Sequence, residues 1–335
     1  YYGAYIQEFM KDADGKPIYP EMSSEAWRRG HAGLTQGEVE VAKLSGNAFN
    51  VVAMPDGIYM TVAEQLWVLD PDSGKTLRSF DMPLAEPRGM CWGAIRIEGD
   101  TLVATAFDPK DIKTAFPAWH QGNEKNKQRM PMKFVFAINR RSGQLLWQVS
   151  PSTAFLNHGV AVGAGRVYCV DMASEQVIDA LAQTPRAPKA NQPLLRAFDL
   201  VSGKELWKQN LELYVPTISY SIARDTVIVP AREPLYWEGG KWVKKARPLP
   251  PRAQEPIDST VLAYQGQTGK LLWKSVDLFF PEPAMIHHDL VVSHRGHVIS
   301  LLDGKSVNKP HPLTGEVLPY ELSSGGCNFL ISSEF

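Results

Sequence analysis

Cysteine is scarce in this sequence: Cys91, Cys169 and Cys327 are the only three in 335 residues. That count excludes a disulfide scaffold, and their separation excludes a CxxC zinc site and a CxxCH haem attachment. Neither sign of charge is in surplus, since 35 Lys and Arg face 36 Asp and Glu. A nucleic-acid protein needs a basic excess to neutralise phosphates, so no nucleic-acid partner is expected. No run of about 18 apolar residues occurs, so no transmembrane segment is expected in the chain. Neither an initiator Met nor a signal-peptide pattern opens it at Tyr1, and it stops at Phe335 just past an apolar run, Phe329-Leu330-Ile331. It therefore reads as a piece of a longer protein. A Ser-His-Asp order, a phosphate loop and HExxH are also missing. What remains is a chain 44 % hydrophobic, enough for a full core, with 26 Gly, 25 Pro and 9 Trp. Frequent turn formers with many aromatics point to many short strands.

An internal repeat organises the chain. Leu66 to Arg78 contains Asp70-Pro71-Asp72-Ser73-Gly74, and Phe136 to Trp147 contains Asn139-Arg140-Arg141-Ser142-Gly143. Arg196 to Trp207 contains Asp199-Leu200-Val201-Ser202-Gly203, and Leu262 to Trp273 contains Gln265-Gly266-Gln267-Thr268-Gly269. A worn fifth copy ends in Leu313-Thr314-Gly315-Glu316-Val317. In each, an apolar run enters, a polar turn follows, Gly sits where positive φ is needed, and a second run leaves, which is a hairpin. Trp147, Trp207 and Trp273 each stand four residues after the Gly. A Trp buries roughly 150–250 Å², worth about 4–6 kcal/mol gross. The three are expected to staple each unit to its neighbour, with Gly74, Gly143, Gly203 and Gly269 as turn residues.

A second turn precedes each hairpin: Asp56-Gly57, Gly99-Asp100, Gly163-Ala164-Gly165, Arg224-Asp225 and His288-Asp289. Each is flanked by apolar stretches, so each unit reads strand A, turn, strand B, connection, strand C, Gly turn, strand D. Four antiparallel strands per repeat make a propeller blade. The expected fold is an all-β propeller with about five blades visible, near 46–82, 91–150, 157–210, 215–276 and 284–320, and the start of a sixth at 325–335. Residues 1–45 read as a lead-in segment or the outer strands of a partial blade. Surplus length falls between strands B and C, at 107–132, 172–194 and 232–258, and insertions at one topological position share a face.

These repeats resemble the tryptophan-docking repeats of the pyrroloquinoline quinone (PQQ) propeller family, whose pattern is roughly Ala-x-Asp-x-x-Thr-Gly-x-x-x-Trp. Ala137, Ala197 and Ala263 match its first position, and Asp70 and Asp199 its acid. Asn139 and Gln265 replace the acid in two blades, and Arg78 replaces one Trp. The resemblance covers about residues 46–333 and implies a portion of an eight-bladed disc in a periplasmic or secreted protein. The family holds quinoprotein alcohol and sugar dehydrogenases that bind PQQ and Ca²⁺, and cofactor-free members that bind proteins. The long B–C loops and the Gly326-Cys327-Asn328 blade start are most similar to uncharacterised bacterial members, planctomycete ones among them.

The dehydrogenases carry a vicinal cysteine pair against the quinone, and none occurs here. Asp108, Asp171 and Glu233 are candidate acids without a distinguishing spacing. Five histidines lie late, His287, His288, His294, His297 and His311, without carboxylate or thiolate company at ligand spacing, so no metal site is expected. The reading therefore favours a non-catalytic propeller without cofactor, binding a protein, peptide or glycan; the alternative is a PQQ- and calcium-dependent dehydrogenase. In a propeller the starts of the inner strands surround the channel, so Arg88, Cys91, Trp92, Asn157, His158 and Asn328 are the expected ligand floor. Trp119, Tyr236, Trp237 and Trp242 lie in the insertions and offer rings to a flat ligand.

Overall fold

The computed structural model describes residues 51–84 except 63, 89–108, 131–172, and 193–319 except 212, 216, 239–240, 245–258, 279–283, 294–295 and 312. It is an all-β propeller. The chain divides into two compact units, residues 1–95 and 96–335, with the boundary inside a strand.

In the first unit β1 (Val51–Met54), β2 (Gly57–Val62), β3 (Gln65–Leu69) and β4 (Thr76–Asp81) form an antiparallel sheet in chain order. The next sheet holds β5 (Cys91–Glu98), β6 (Thr101–Phe107), β8 (Phe134–Asn139) and β9 (Leu145–Val149), in that order. The short β7 (Pro131–Met132) closes the first insertion. The third sheet is β10 (Phe155–Gly163), β11 (Arg166–Asp171), β12 (Leu194–Asp199) and β13 (Glu205–Asn210), with β7 added beside β10. The fourth contains β14 (Leu213–Tyr214), β15 (Ser219–Ser221), β16 (Thr226–Glu238), β17 (Lys241–Lys244), β18 (Ser259–Gln265) and β19 (Leu271–Leu278). In the fifth, β20 (Ala284–His287), β21 (Leu290–Ser293) and β22 (Val298–Ser300) pair in order. A separate hairpin joins β23 (Asn308–Pro310) to β24 (Val317–Pro319).

The core of the second unit lies between successive sheets. Val103, Val135 and Ala137 pack with Phe155, Val167 and Phe198. Tyr168, Val170 and Leu195 pack with Val227, Val229 and Leu262. Ile228, Val261 and Ala263 pack with Val291 and Ile299.

The repeat acquires a physical explanation at the residue level. Ala137, Ala197 and Ala263 are the cross-strand partners of Trp147, Trp207 and Trp273. A methyl group opposite the indole leaves room for the ring to lean onto the next sheet. Trp147 Nε1 donates to the Leu200 carbonyl at 2.9 Å, and a Cβ on Gly203 would meet the Trp147 ring at 2.6 Å. Trp207 donates to Gly266 at 2.8 Å and lies over Gly269. Trp273 donates to Leu301 at 2.9 Å and lies over Gly304. Glycine is required twice over at these turns, by contact and by φ near +70°.

The acid and hydroxyl of the repeat hold the turn itself. Asp70 Oδ1 accepts from the Ser73 amide at 2.7 Å and hydroxyl at 2.8 Å. Asp199 does the same with Ser202. These bonds to the hydroxyl and amide hold both carboxyls below the usual carboxylate range.

The fifth repeat differs from the sequence reading. Its docking glycine is Gly304, not Gly315. The Ser300–Lys305 turn carries the same backbone bonds as the other C–D turns, and Trp273 covers it. Gly315 belongs to the β23–β24 hairpin, where the turn is similar but no described residue comes within 4 Å of the place a Cβ would take. Gly74 is likewise uncovered by any described residue. Arg78, in place of a Trp, turns back within its own sheet to Asp56 at 3.1 Å and Tyr59 at 3.0 Å.

Replacing Trp147 by Ala is expected to cost roughly 3–5 kcal/mol in denaturant unfolding. Trp147→Phe keeps most of the packing but strands the Leu200 carbonyl, and is expected to cost about 1–3 kcal/mol. Equal stability of the two variants and wild type would remove the docking contact from the account.

Candidate functional site

The two ends of the blades in the second unit are built differently. At one end the A–B turns meet the C–D turns. The Asp100, Gly165, Asp225 and Asp289 carbonyls accept from the amides of Arg140, Leu200, Gly266 and Leu301 at 2.7–3.0 Å. Ala164, Asp225 and His288 take positive φ there. Consecutive blades are also tied at this end. The Gly165 amide donates to the Glu98 carboxylate at 3.2 Å, and Arg224 binds both oxygens of Asp289 at 2.6 Å. Arg166 pairs with Asp225 and donates to Tyr168 and Tyr220, while Tyr220 itself donates to Asp225 at 2.8 Å. The A–B turns therefore share one end, and the insertions at 107–132, 172–194 and 232–258 leave from the other.

At that other end the insertions meet the D–A connections. The Met172 amide donates to Ala154 at 2.8 Å and the Leu211 amide to Pro193 at 2.9 Å. β7 pairs with β10 through Met132 opposite Phe155 and Pro131 opposite Leu156. Asp171, fully buried at the end of β11, accepts from the Ser152 amide at 2.6 Å, the Thr153 amide at 2.9 Å and Arg196 at 3.0 Å. Arg196 in turn reaches Glu205 at 2.6 Å and lies 4.8 Å over the Phe198 ring. This candidate acid is thus a clamp on the D–A connection.

The third insertion begins as a hairpin. β16 pairs with β18 from Thr226 to Arg232, then runs on to pair with β17 from Leu235 to Glu238. Trp237 stands directly opposite Trp242 in that register. The sequence signal was Gly239-Gly240 between two strand-like runs, a two-residue hairpin pattern.

Three of the six expected channel-floor residues, Trp92, Asn157 and His158, are buried. Trp92 is buried, and its Nε1 donates to the Glu64 carbonyl at 3.1 Å within the first unit. Cys91 is half-buried in the same unit. In the second unit Asn157 is buried and accepts from the Thr105 hydroxyl at 2.9 Å. His158 is 4 % exposed. Burial first, and the Arg96 cation second, push its pKa down to about 3. Arg88 and Asn328 lie outside the described residues, as do Trp119 and His294. Asp108 is half-buried, and Glu233 and Tyr236 lie on β16. His287 and His288 meet edge to face at 4.4 Å, and His311 Nδ1 accepts from the Leu313 and Thr314 amides. Cys169 is fully buried, and desolvation raises its thiol well above the ordinary range, which makes it inert.

The repeat geometry agrees with a comparison against family models. A model described as outer membrane protein assembly factor BamB matches residues 132–318. The chain belongs to the PQQ-like repeat family. No curated protein matches it in sequence. BamB from Moraxella catarrhalis is similar in structure, at 14 % identity and TM-score 0.41 over 82 % of this chain and 63 % of that one. So is a quinohemoprotein alcohol dehydrogenase from Pseudomonas putida HK5, at 10 % identity and TM-score 0.46 over 80 % and 44 %. The WD40 domain of Neurospora crassa Pan2 gives 8 % identity and TM-score 0.48 over 85 % and 68 %. This chain spans less than two thirds of the first two proteins.

The histidine carries a pH prediction. Its folded pKa lies below its unfolded value, so protons bind the unfolded chain first. Stability is complete above neutrality and falls as pH drops from the unfolded value toward the folded one. Between about pH 7.5 and 5.5 the loss is expected to be about 1.4 kcal/mol. His158→Gln should flatten that slope in denaturant titrations, and an unchanged slope would assign it elsewhere.

Proposed function

We propose that this chain is a non-catalytic PQQ-like repeat propeller that binds a protein, peptide or glycan through the end carrying the B–C insertions. The observation that carries the reading is the asymmetry of the two ends. One end is consumed by bonds between A–B turns, C–D turns and neighbouring blades. The other bears extra chain in three consecutive blades, and extra chain at one topological position is how repeat proteins build a binding face. Membership in a family whose model is named for an outer membrane protein assembly factor supports a binding role and a place in the periplasm or outside the cell.

PQQ and Ca²⁺ are the cofactors that the quinoprotein branch would imply, and the described residues do not fit them. The chain has no adjacent cysteine pair. Among the described residues no three of His, Cys, Asp and Glu converge as ligands for a metal ion. Asp171 has its oxygens engaged by two amides and a guanidinium. No redox step is derived from them.

Titrating the purified protein with PQQ and Ca²⁺, and reading quinone absorbance and alcohol- or sugar-dependent dye reduction, tests the reading. The expected outcome is neither a stoichiometric complex nor turnover. A one-to-one complex with substrate-dependent reduction would replace the scaffold reading with a dehydrogenase.

A further inference from the structure

The outer strands of the blades differ in what they show to solvent. β4, β9 and β13 have six, five and six residues. Each exposes one large apolar side chain, Leu77, Leu146 and Leu206. β19 has eight residues and exposes three among those described, Leu271, Leu272 and Val276, each close to half exposed. A strand of about five or six is ordinary, and a long apolar edge is a template for pairing. β19 ends its sheet, with β18 on one side and no strand among the described residues on the other. Trp273 and Ser275 turn toward the next sheet, where they donate to the Leu301 and Gly304 carbonyls. Lys274 and Val276 alternate with them and stand exposed on the opposite face.

The fifth blade already carries a further strand at this position. After the Ser300–Lys305 turn, Ser306 bridges Ile299 and the Val307 amide donates to Val298 at 3.1 Å, so the chain takes the outer place beside β22. It then runs on as β23, and β24 pairs with it through Asn308 with Pro319, Lys309 with Leu318 and Pro310 with Val317. Self-pairing of β19 is opposed by its own charge. Two copies meeting antiparallel about Lys274 set one ammonium against the other, and like charges directly opposite destabilise a sheet. From Lys270 to Val276 the sequence has two cations, Lys270 and Lys274, and no acid. An acid on an added strand meets an unlike charge there, so the same lysine rejects a second copy and selects a partner.

We propose that the outer edge of β19 is a docking site for an extended, acidic segment of another protein, which adds to the blade as a strand. In such an addition backbone hydrogen bonds supply affinity and alternate side chains supply specificity. Side chains repeat every second residue along a strand. An acid opposite Lys274 therefore brings the residue two places away opposite Val276, and the segment alternates an acid with an apolar residue on one face. Leu271 and Leu272 add apolar surface at the turn end of the strand. This surface is separate from the end that carries the insertions and does not depend on it.

The probe is a fluorescent peptide alternating valine with glutamate, titrated into the full chain and read by anisotropy and by hydrogen exchange. Binding with slowed exchange of the β19 amides is expected, and weaker binding of a valine–lysine counterpart. Lys274→Glu is expected to weaken the glutamate peptide by about three- to tenfold and to strengthen the lysine peptide, the reach of one cross-strand charge pair. Thermal melting checks that the variant is folded. A glutamate peptide that does not bind, that binds equally with its amides N-methylated, or that slows exchange elsewhere overturns the proposal. Equal wild-type affinity for the two peptides, or unchanged affinity in folded Lys274→Glu, does the same. A dimer in sedimentation with its β19 amides protected overturns it in favour of a second copy. Failure of the peptide to bind leaves the scaffold reading at the insertion end, which falls only with a PQQ complex and turnover.

Discussion

An indole laid over a glycine turn is the contact on which the stacking of the second unit depends. Trp147, Trp207 and Trp273 each leave their own sheet opposite an alanine, cross to the next sheet, and donate Nε1–H to a carbonyl of its C–D turn. Three requirements meet at one place. The partner across the strand must be small, the turn must reach positive φ, and the turn must present no Cβ. Only Gly meets the last two, and Ala meets the first while keeping the strand hydrophobic. The remaining pattern, an acid or amide with a hydroxyl before the glycine, serves the turn. Its side-chain bonds satisfy amides that the ladder cannot reach.

In the first unit the matching position carries Arg78 in place of the ring. Arg78 holds its own sheet through Asp56 and Tyr59 instead of crossing outward. At the A–B turn end, charged groups link consecutive blades through Arg166 with Asp225 and Arg224 with Asp289. The second pair is exposed and contributes little by itself. The first is partly buried among Tyr168, Tyr220 and Trp207, where aromatic packing and hydrogen bonding add to the charge. Fixing one end in this way leaves the other free to vary in length, and the three insertions occupy that freedom.

The polar groups at the starts of the inner strands illustrate how a residue type misleads without its surroundings. Asn157 and His158 follow a strand entry and precede a glycine, as residues at a ligand floor would. In the structure Asn157 accepts from Thr105 deep in the unit, and His158 is held neutral by burial beside Arg96. Gly159 is there because a Cβ would meet Val170 at 2.9 Å, a packing reason and not a binding one. Asp171, chosen as a candidate acid, fixes the backbone of Ser152 and Thr153.

The sequence by itself determined the blade, because everything the blade needs is local. Alternation sets the faces of each strand, Gly sets the turn, and Trp after Gly marks the docking ring. It could not decide which glycine receives a ring. Gly304 and Gly315 both close a tight turn, and Thr314-Gly315 looks more like the repeat than Asp303-Gly304 does. Only the position of Trp273 in space distinguishes them. The same division holds for the third insertion. Composition showed that Trp237, Trp242 and the lysines fall in an insertion. That the two tryptophans stand opposite each other in the β16–β17 pairing was decided by register, which depends on where β16 exchanges β18 for β17 as its partner.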